Sequence, residues 1–189
     1  LVLIKAVLQK TGSEYLTDVW PNMEVFFHGG ISFEPYRDQY KALIPSDRMH
    51  YMETYNASEG FFGLQDNPEE HSLLLMIDYS VFYEFIPINE VGEEHPTVLP
   101  LEAVEVGKNY AMVITTSGGL WRYQIGDTVR FTSLYPHKFV ISGRTKNFIN
   151  AFGEELMVDN ADKAISRVCR QTGAKVKEYT AAPLFMLDK

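Results

Sequence analysis

The sequence predicts an α+β protein, with a β-rich core built on a curled, barrel-like sheet and then the opening of a small α+β domain. Three observations predict it. Eight short strand-like runs crowd residues 49–141, several of them separated by Pro, Gly, Asn or Asp turns. Helical apolar spacing is confined to the two ends of the chain. After Arg144 the pattern changes to hairpin, helix and strand. Strands this dense must curl into a barrel or pack on a second sheet to bury one face. The division predicted is 1–143 for part of a large domain and 144–189 for a hinge and the start of a small one.

In order along the chain, Leu1–Gln9 carries helical apolar spacing and is stopped at Lys10-Thr11-Gly12. Ser13–Trp20 reads as a short helix capped by Ser13 and ended by Pro21. Met23–Phe27 is a buried strand running into His28-Gly29-Gly30. Phe33–Leu43 has the spacing of an amphipathic helix and stops before Pro45. The predicted strands are then Met49–Tyr55, Phe61–Leu64, Leu73–Met76, Val81–Ile86, Asn109–Thr116, Leu120–Tyr123, Val129–Ser133 and Lys138–Ile141. Beyond them, Phe148–Gly153 reads as a hairpin turning at Asn150. Val158–Gln171 is a helix with Asp159 near its start and Gly173 past its end, and Lys175–Ala181 is a strand.

Composition narrows the function. The 189 residues are 46% hydrophobic and 22% charged, which is ordinary for a globular protein with a core of its own. The net charge of -8 argues against a nucleic-acid partner, because phosphate backbones demand basic surfaces. An acidic protein that binds a nucleotide must place its few cations locally and recruit a metal ion. Leu1–Leu8 is apolar but too short to span a bilayer, and no small-residue cleavage site follows it. The abrupt apolar start and strand-like end lead us to expect a piece of a longer protein. Cys169, the single cysteine, reads as a buried, inert thiol in a reducing, cytoplasmic setting. The five histidines (28, 50, 71, 95 and 137) lack close metal-ligand spacing.

Three motifs carry chemistry. Tyr55–Gly60, YNASEG, follows a strand and ends in a turn. Its small residues Ala57, Ser58 and Gly60 let a ligand approach the backbone, and Glu59 offers a carboxylate suited to Mg²⁺. Read alone, a polar strand-to-strand turn with a solvated Glu is the favoured explanation. Trp121–Asp127, WRYQIGD, sets Tyr123 to pack beside a base and Asp127 to accept from a sugar diol, with Gly126 allowing the bend between them. Gly143–Lys146, GRTK, supplies Arg144 and Lys146 as phosphate-binding cations, against a reading as surface charges in a linker. His28-Gly29-Gly30 could admit a flat base against the backbone or be a tight turn. Thr115–Gly119, TTSGG, lacks the Lys and helix of a phosphate loop and reads as a strand-to-strand turn.

Taken together and in this order, YNASEGFFG, GLWRYQIGD and GRTKNFINAFGEEL closely resemble the GH3 family of acyl-acid amido synthetases, within the adenylate-forming superfamily. VDNADKAI (158–165) and the terminal TAAP (180–183) are nearer to bacterial members. The resemblance spans nearly the whole chain.

The resemblance implies an enzyme that activates a carboxylic acid with ATP and Mg²⁺, releases pyrophosphate from an acyl-adenylate intermediate and passes the acyl group to an amino acid amine. It implies that Tyr55, Asn56, Ala57 and Ser58 line the adenine and α-phosphate, with Glu59 as Mg²⁺ ligand. Asp127 is then the ribose-binding acid and Tyr123 the first residue of its motif. Gly29 and Gly30 form a loop between the adenine and acyl sides. Arg144 and Lys146 lie at the hinge between large and small domains, with Lys146 reaching the nucleotide as a catalytic cation. Glu59 and Asp127 should therefore converge on one cleft. The family's phosphate loop lies upstream of YNASEG, and this chain has no such loop. The 189 residues are expected to hold the adenosine side and the hinge without catalysing the full reaction alone. A coenzyme A ligase of the same superfamily, or a non-catalytic nucleotide-binding or structural β-rich domain, are the alternatives.

Overall fold

The computed structural model describes residues 1–30, 33–145, 149–151, 154–156, 158–176 and 178–181. Two helices open the chain, α1 (Val2–Thr11) and α2 (Leu16–Val19). Gly12 ends α1 with φ at 70°, a left-handed conformation that costs glycine little, and its N–H caps the Leu8 carbonyl. The cap of α2 is Tyr15 rather than Ser13, because the Asp18 carboxylate accepts from the Tyr15 N–H at 2.9 Å and fixes the first turn there. Strand β1 (Val25–His28) follows. The predicted helix from Phe33 begins instead as a 3-10 turn, Glu34–Tyr36, where Pro35 removes a donor, and becomes α3 at Arg37–Leu43.

The remaining strands are β2 (His50–Ala57), β3 (Gly60–Leu64), β4 (Leu73–Leu75), β5 (Val81–Pro87), β6 (Leu99–Pro100), β7 (Asn109–Thr116), β8 (Tyr123–Leu134) and β9 (His137–Arg144). With β1 they make one nine-stranded open sheet, ordered β1-β2-β3-β4-β9-β8-β7-β5-β6. Among the described residues only β1 and β2 pair in parallel. One face of the sheet carries the main core, including Tyr55, Phe62, Phe85, Phe131 and Phe139, all at most 5% exposed. Helices α1–α3 bury a second cluster, among them Leu8, Leu16, Phe33 and Tyr51, against β1 and β2.

Of the predicted strand Leu120–Tyr123 only Tyr123 is in a strand; it starts the twelve-residue β8, which runs on without a break through the predicted Val129–Ser133. Ala111 pairs with Thr128 and Val113 with Gln124, so Ile125, Gly126 and Asp127 stand against Met112 alone. Gly126, at φ 87°, lets the strand absorb this bulge and continue.

Two strands after β9, β10 (Ile149–Ala151) and β11 (Glu154–Leu156), pair antiparallel. Asn150 is not the turn: it pairs with Glu155 inside the ladder. Helix α4 (Val158–Thr172) comes next, with Gly173 at φ 70° beyond it. The predicted strand Lys175–Ala181 is absent among the described residues, where the backbone joins no ladder and so lacks the partner a strand requires. Cys169 is half-buried rather than fully buried. Among the described residues no helix is long and apolar enough to cross a membrane.

Candidate nucleotide site

Strands β2 and β3 form a hairpin in which Ala57 pairs with Gly60, leaving Ser58 and Glu59 as its two-residue turn. A register shift at Tyr55–Asn56 marks the approach to that turn. Asn56, Ala57 and Ser58 are exposed and Glu59 is half-buried. Tyr55 points the other way, into the core, with its ring 5.2 Å from Phe62 and 6.1 Å from Phe139.

The Tyr55 hydroxyl stays polar and donates to Oδ2 of Asp127 at 2.6 Å. Strands β2 and β8 are four ladder steps apart, a separation of about 19 Å in a flat sheet. The contact exists because the sheet curls and brings the two strands face to face. Burial, then the charge of Asp127, drives the Tyr55 phenol far above its ordinary range. The group is therefore a permanent donor toward the carboxylate, in a short charge-assisted bond.

Asp127 lies opposite Arg144 in the β8–β9 ladder, and Oδ1 accepts from Arg144 Nε at 3.2 Å. Its side chain is 19% exposed and that of Arg144 60%. Each carboxylate oxygen keeps a lone pair for a further donor, so Asp127 is oriented by its neighbours and still open to a ligand. The Gly126 carbonyl accepts from the Thr145 N–H at 2.9 Å, which fixes the chain just past Arg144. A Cβ at Gly126 would come within 3.4 Å of the Arg144 guanidinium.

Gly29 follows β1 and lies against β2, where a Cβ would come 2.4 Å from the Thr54 carbonyl oxygen. The Thr54 hydroxyl donates to the His28 carbonyl at 3.3 Å and ties the same junction. This close approach demands glycine and puts the Gly29-Gly30 loop one residue from Tyr55. Gly30 has φ at 83° and open space around it.

Of the residues singled out from sequence, Tyr55, Asp127 and Arg144 are in direct contact. The charge of Glu59 acts on the same Tyr55 hydroxyl as those of Asp127 and Arg144. Gly29 abuts the strand that carries Tyr55. Tyr123 pairs with Ile114 at the start of β8, is 40% exposed and takes no part in the Tyr55–Asp127–Arg144 contacts. Lys146 lies outside the described residues. Among the described residues no group of three or more His, Cys, Asp or Glu side chains could hold a metal. A single carboxylate such as Glu59 suits Mg²⁺, which keeps most of its ligands as water and phosphate oxygen.

The sequence reading missed a second polar group beside this one. His28, Arg37, Tyr51 and Glu53 gather where β1, β2 and α3 meet. Burial, then the Arg37 guanidinium, holds His28 down at about 4. Burial raises Glu53 although Arg37 opposes it. Alternation along β2 was the available signal, because it sets Glu53 on the face that Tyr55 occupies. Two clefts of about 510 and 420 Å³ lie elsewhere, one beside Phe82 and Trp121 and the other beside Ile86, His95 and Arg122. Neither touches Tyr55, Glu59 or Asp127.

Comparison with known proteins gives a consistent result. Residues 2–49 match the GH3 family N-terminal domain and residues 74–144 the GH3 family central domain, together more than half of the chain. The chain is 32% identical to indole-3-acetic acid-amido synthetase GH3.4 of Arabidopsis thaliana, over 95% of this chain and 32% of that protein. It is 31% identical to indole-3-acetic acid-amido synthetase GH3.8 of Oryza sativa subsp. indica, over 88% of this chain and 29% of that one. The chain thus spans about a third of the length of the curated relatives it matches. The fold is similar to that of the GH3.15 acyl acid amido synthetase in complex with 2,4-DB, with a TM-score of 0.65 at 19% identity, covering 94% of this chain and 37% of that one. Matches to two domains of one family, in their order along the chain, and 32% identity to a GH3 relative over 95% of the chain establish that this chain belongs to the GH3 family.

Proposed function

We propose that the full-length protein carrying this chain is an ATP-dependent acyl-acid amido synthetase. It adenylates a small-molecule carboxylic acid, releases pyrophosphate and transfers the acyl group to an amino acid amine. The observation that carries the reading is the Tyr55–Asp127–Arg144 arrangement: a carboxylate held between a phenol and a guanidinium, with lone pairs left for a ribose diol. The names of the relatives, amido synthetases of indole-3-acetic acid, support the acyl-transfer chemistry.

In this reading Asp127 takes the ribose hydroxyls, and Tyr55 and Arg144 keep its carboxylate from rotating away. Gly29 and Gly30 leave backbone room for the adenine and the acid. Asn56, Ala57 and Ser58 line the adenine and the α-phosphate, and Tyr123 packs toward the base. Glu59 would hold Mg²⁺, which when bound offsets charge developing on phosphoryl oxygens. Lys146 and Arg144 belong to the hinge and present cations to the nucleotide. Positioning and charge stabilisation account for most of the rate in such a reaction. We place the domain division at residues 143 and 144, where the central-domain match also ends. The protein acts in the cytoplasm without nucleic-acid or membrane partners, and the 189 residues alone do not complete the site.

The test is pyrophosphate release by the full-length protein, screened over panels of acids with amino acids or coenzyme A as acceptor. The proposal expects turnover with amino acids. Turnover only with coenzyme A would replace it with an acyl-CoA ligase, and no ATP binding at all would remove the enzymatic reading.

A further inference from the structure

The polar group at the junction of β1, β2 and α3 is not used by the reaction as described above. Parallel pairing sets His28 beside Glu53 and Phe26 beside Tyr51, and residues paired in this way share a face of the sheet. That face continues along β2 from Tyr51 through Glu53 to Tyr55, whose hydroxyl holds Asp127. Glu53 therefore stands one pleat from the residue that anchors the nucleotide side.

The group is short of partners. Both ring nitrogens of His28 and the Tyr51 hydroxyl are buried without a hydrogen bond, and Tyr51 is only 6% exposed. The half-buried Glu53 carboxylate has no hydrogen-bond or ion-pair partner among the described residues. The cation acting on it, Arg37, is engaged through Nε by Glu34 at 3.1 Å. Flat rings pack beside them: the His28 ring stacks on Phe33 at 4.2 Å, and Phe26 lies 6.0 Å from Phe33. Native proteins leave few buried polar groups unpaired, so several in one patch beside a reaction site point to a ligand.

The ligand's character follows from the groups. A carboxylate repels phosphates, so the triphosphate does not lie here, and Asp127 takes the ribose. That leaves the adenine, the acid and the amino acid; the amine of the last must reach the reacting carboxyl, and the KM of ATP in the test below separates the adenine from the acid. We propose that Glu53 determines specificity for that acid by accepting a hydrogen bond from a donor group, an amine or a hydroxyl, at the end remote from the reacting carboxyl. The Phe33 and His28 rings form the flat wall behind it. This inference rests on the amido-synthetase reading and names the substrate class for it.

The test measures pyrophosphate release by the full-length protein at saturating ATP. Each acid skeleton is supplied with a terminal amino, hydroxyl or methyl group. Sites built to hydrogen-bond a substrate strongly reject analogues that lack the donor. The wild type should prefer a donor-bearing acid over its methyl counterpart by at least about tenfold in kcat/KM. Glu53→Gln should shrink that preference about tenfold through the KM of the acid, and Glu53→Asp should restore part of it. The amine and hydroxyl arms tell which donor the site takes. The wild-type series requires no folded variant. Equal or better use of methyl-terminated acids overturns the inference and leaves the amido-synthetase reading standing. So does a Glu53→Gln effect confined to the KM of ATP, which would turn Glu53 toward the adenine. Absence of pyrophosphate release with every acid overturns both.

Discussion

The Tyr55 hydroxyl and the Asp127 carboxylate meet at 2.6 Å although their strands are four ladder steps apart. Asp127→Ala should weaken ATP binding to the full-length protein by about 1–3 kcal/mol, the cost of leaving a hydrogen-bonded partner unpaired. Titration calorimetry checks it, and unchanged affinity would remove Asp127 from the nucleotide site. Tyr55→Phe should give a smaller loss of the same sign, because it frees the carboxylate to rotate without deleting it.

Glu59→Gln should reduce Mg²⁺-dependent adenylation more than nucleotide binding measured without Mg²⁺. The amide keeps the shape of the side chain at the hairpin turn but is a poor ligand for a hard cation. Paired assays with Mg²⁺ and with a chelator decide it. Equal losses in both would mean that Glu59 contacts the nucleotide rather than the metal.

Arg144→Ala should change folding stability by less than about 1 kcal/mol, since an ion pair with one partner this exposed is well screened. A urea unfolding series measures this. If the loss is larger, the Arg144–Asp127 pair holds β8 to β9, and the hinge role falls into second place.

Gly29→Ala should destabilise the protein by about 1–3 kcal/mol, because the new methyl meets the backbone carbonyl of Thr54 and the strands must shift. Gly30→Ala meets no atom and carries only the strain of a left-handed backbone, about 1 kcal/mol. Unfolding midpoints that rank the two the other way would contradict the packing at this junction.

His28 gives a dependence on pH with a definite sign. Its folded value of about 4 lies below the ordinary 6.5, so the unfolded chain takes up the proton first as pH falls. The stability it contributes is intact above about pH 6.5 and lost between there and about pH 4. After screening of a half-buried group, about 1–2 kcal/mol should be at stake. The groups facing it are Arg37, Glu53 and Tyr51. Denaturation of wild type and His28→Phe near pH 7.5 and pH 5 should show a steeper acid loss for the wild type. Parallel losses would count against a buried neutral imidazole.

Much of this was legible in the residues. Turn signals at Asp66-Asn67-Pro68 and Ser117-Gly118-Gly119 marked strand ends that the sheet respects, and Gly173 marked the end of α4. What failed had a tertiary cause. Gly126 reads as a turn in any local window, yet its neighbours on β7 and β9 carry the strand straight through it. Lys175–Ala181 has the composition of a strand and, among the described residues, no ladder to join. At the site, the motifs flagged Tyr55, Asp127 and Arg144 separately, but the contact between Tyr55 and Asp127 depends on how strongly the sheet bends. Glu53 escaped notice because it belongs to no motif; its significance comes from the parallel partner strand that sets His28 beside it.

The curl that joins β2 to β8 gives interior residues a hold on ligand affinity at a distance. Gly63 on β3 lies so close to Phe139 and Leu73 that a methyl there would sit 2.9 Å from the first and 3.1 Å from the second. Enlarging that spot should press the intervening strands apart and lengthen the contact between phenol and carboxylate. Substitutions in β3, β4 and β9, none of which need meet a substrate, can thus tune the grip on one, so screens for altered binding should search the lining of the bend as well as its mouth.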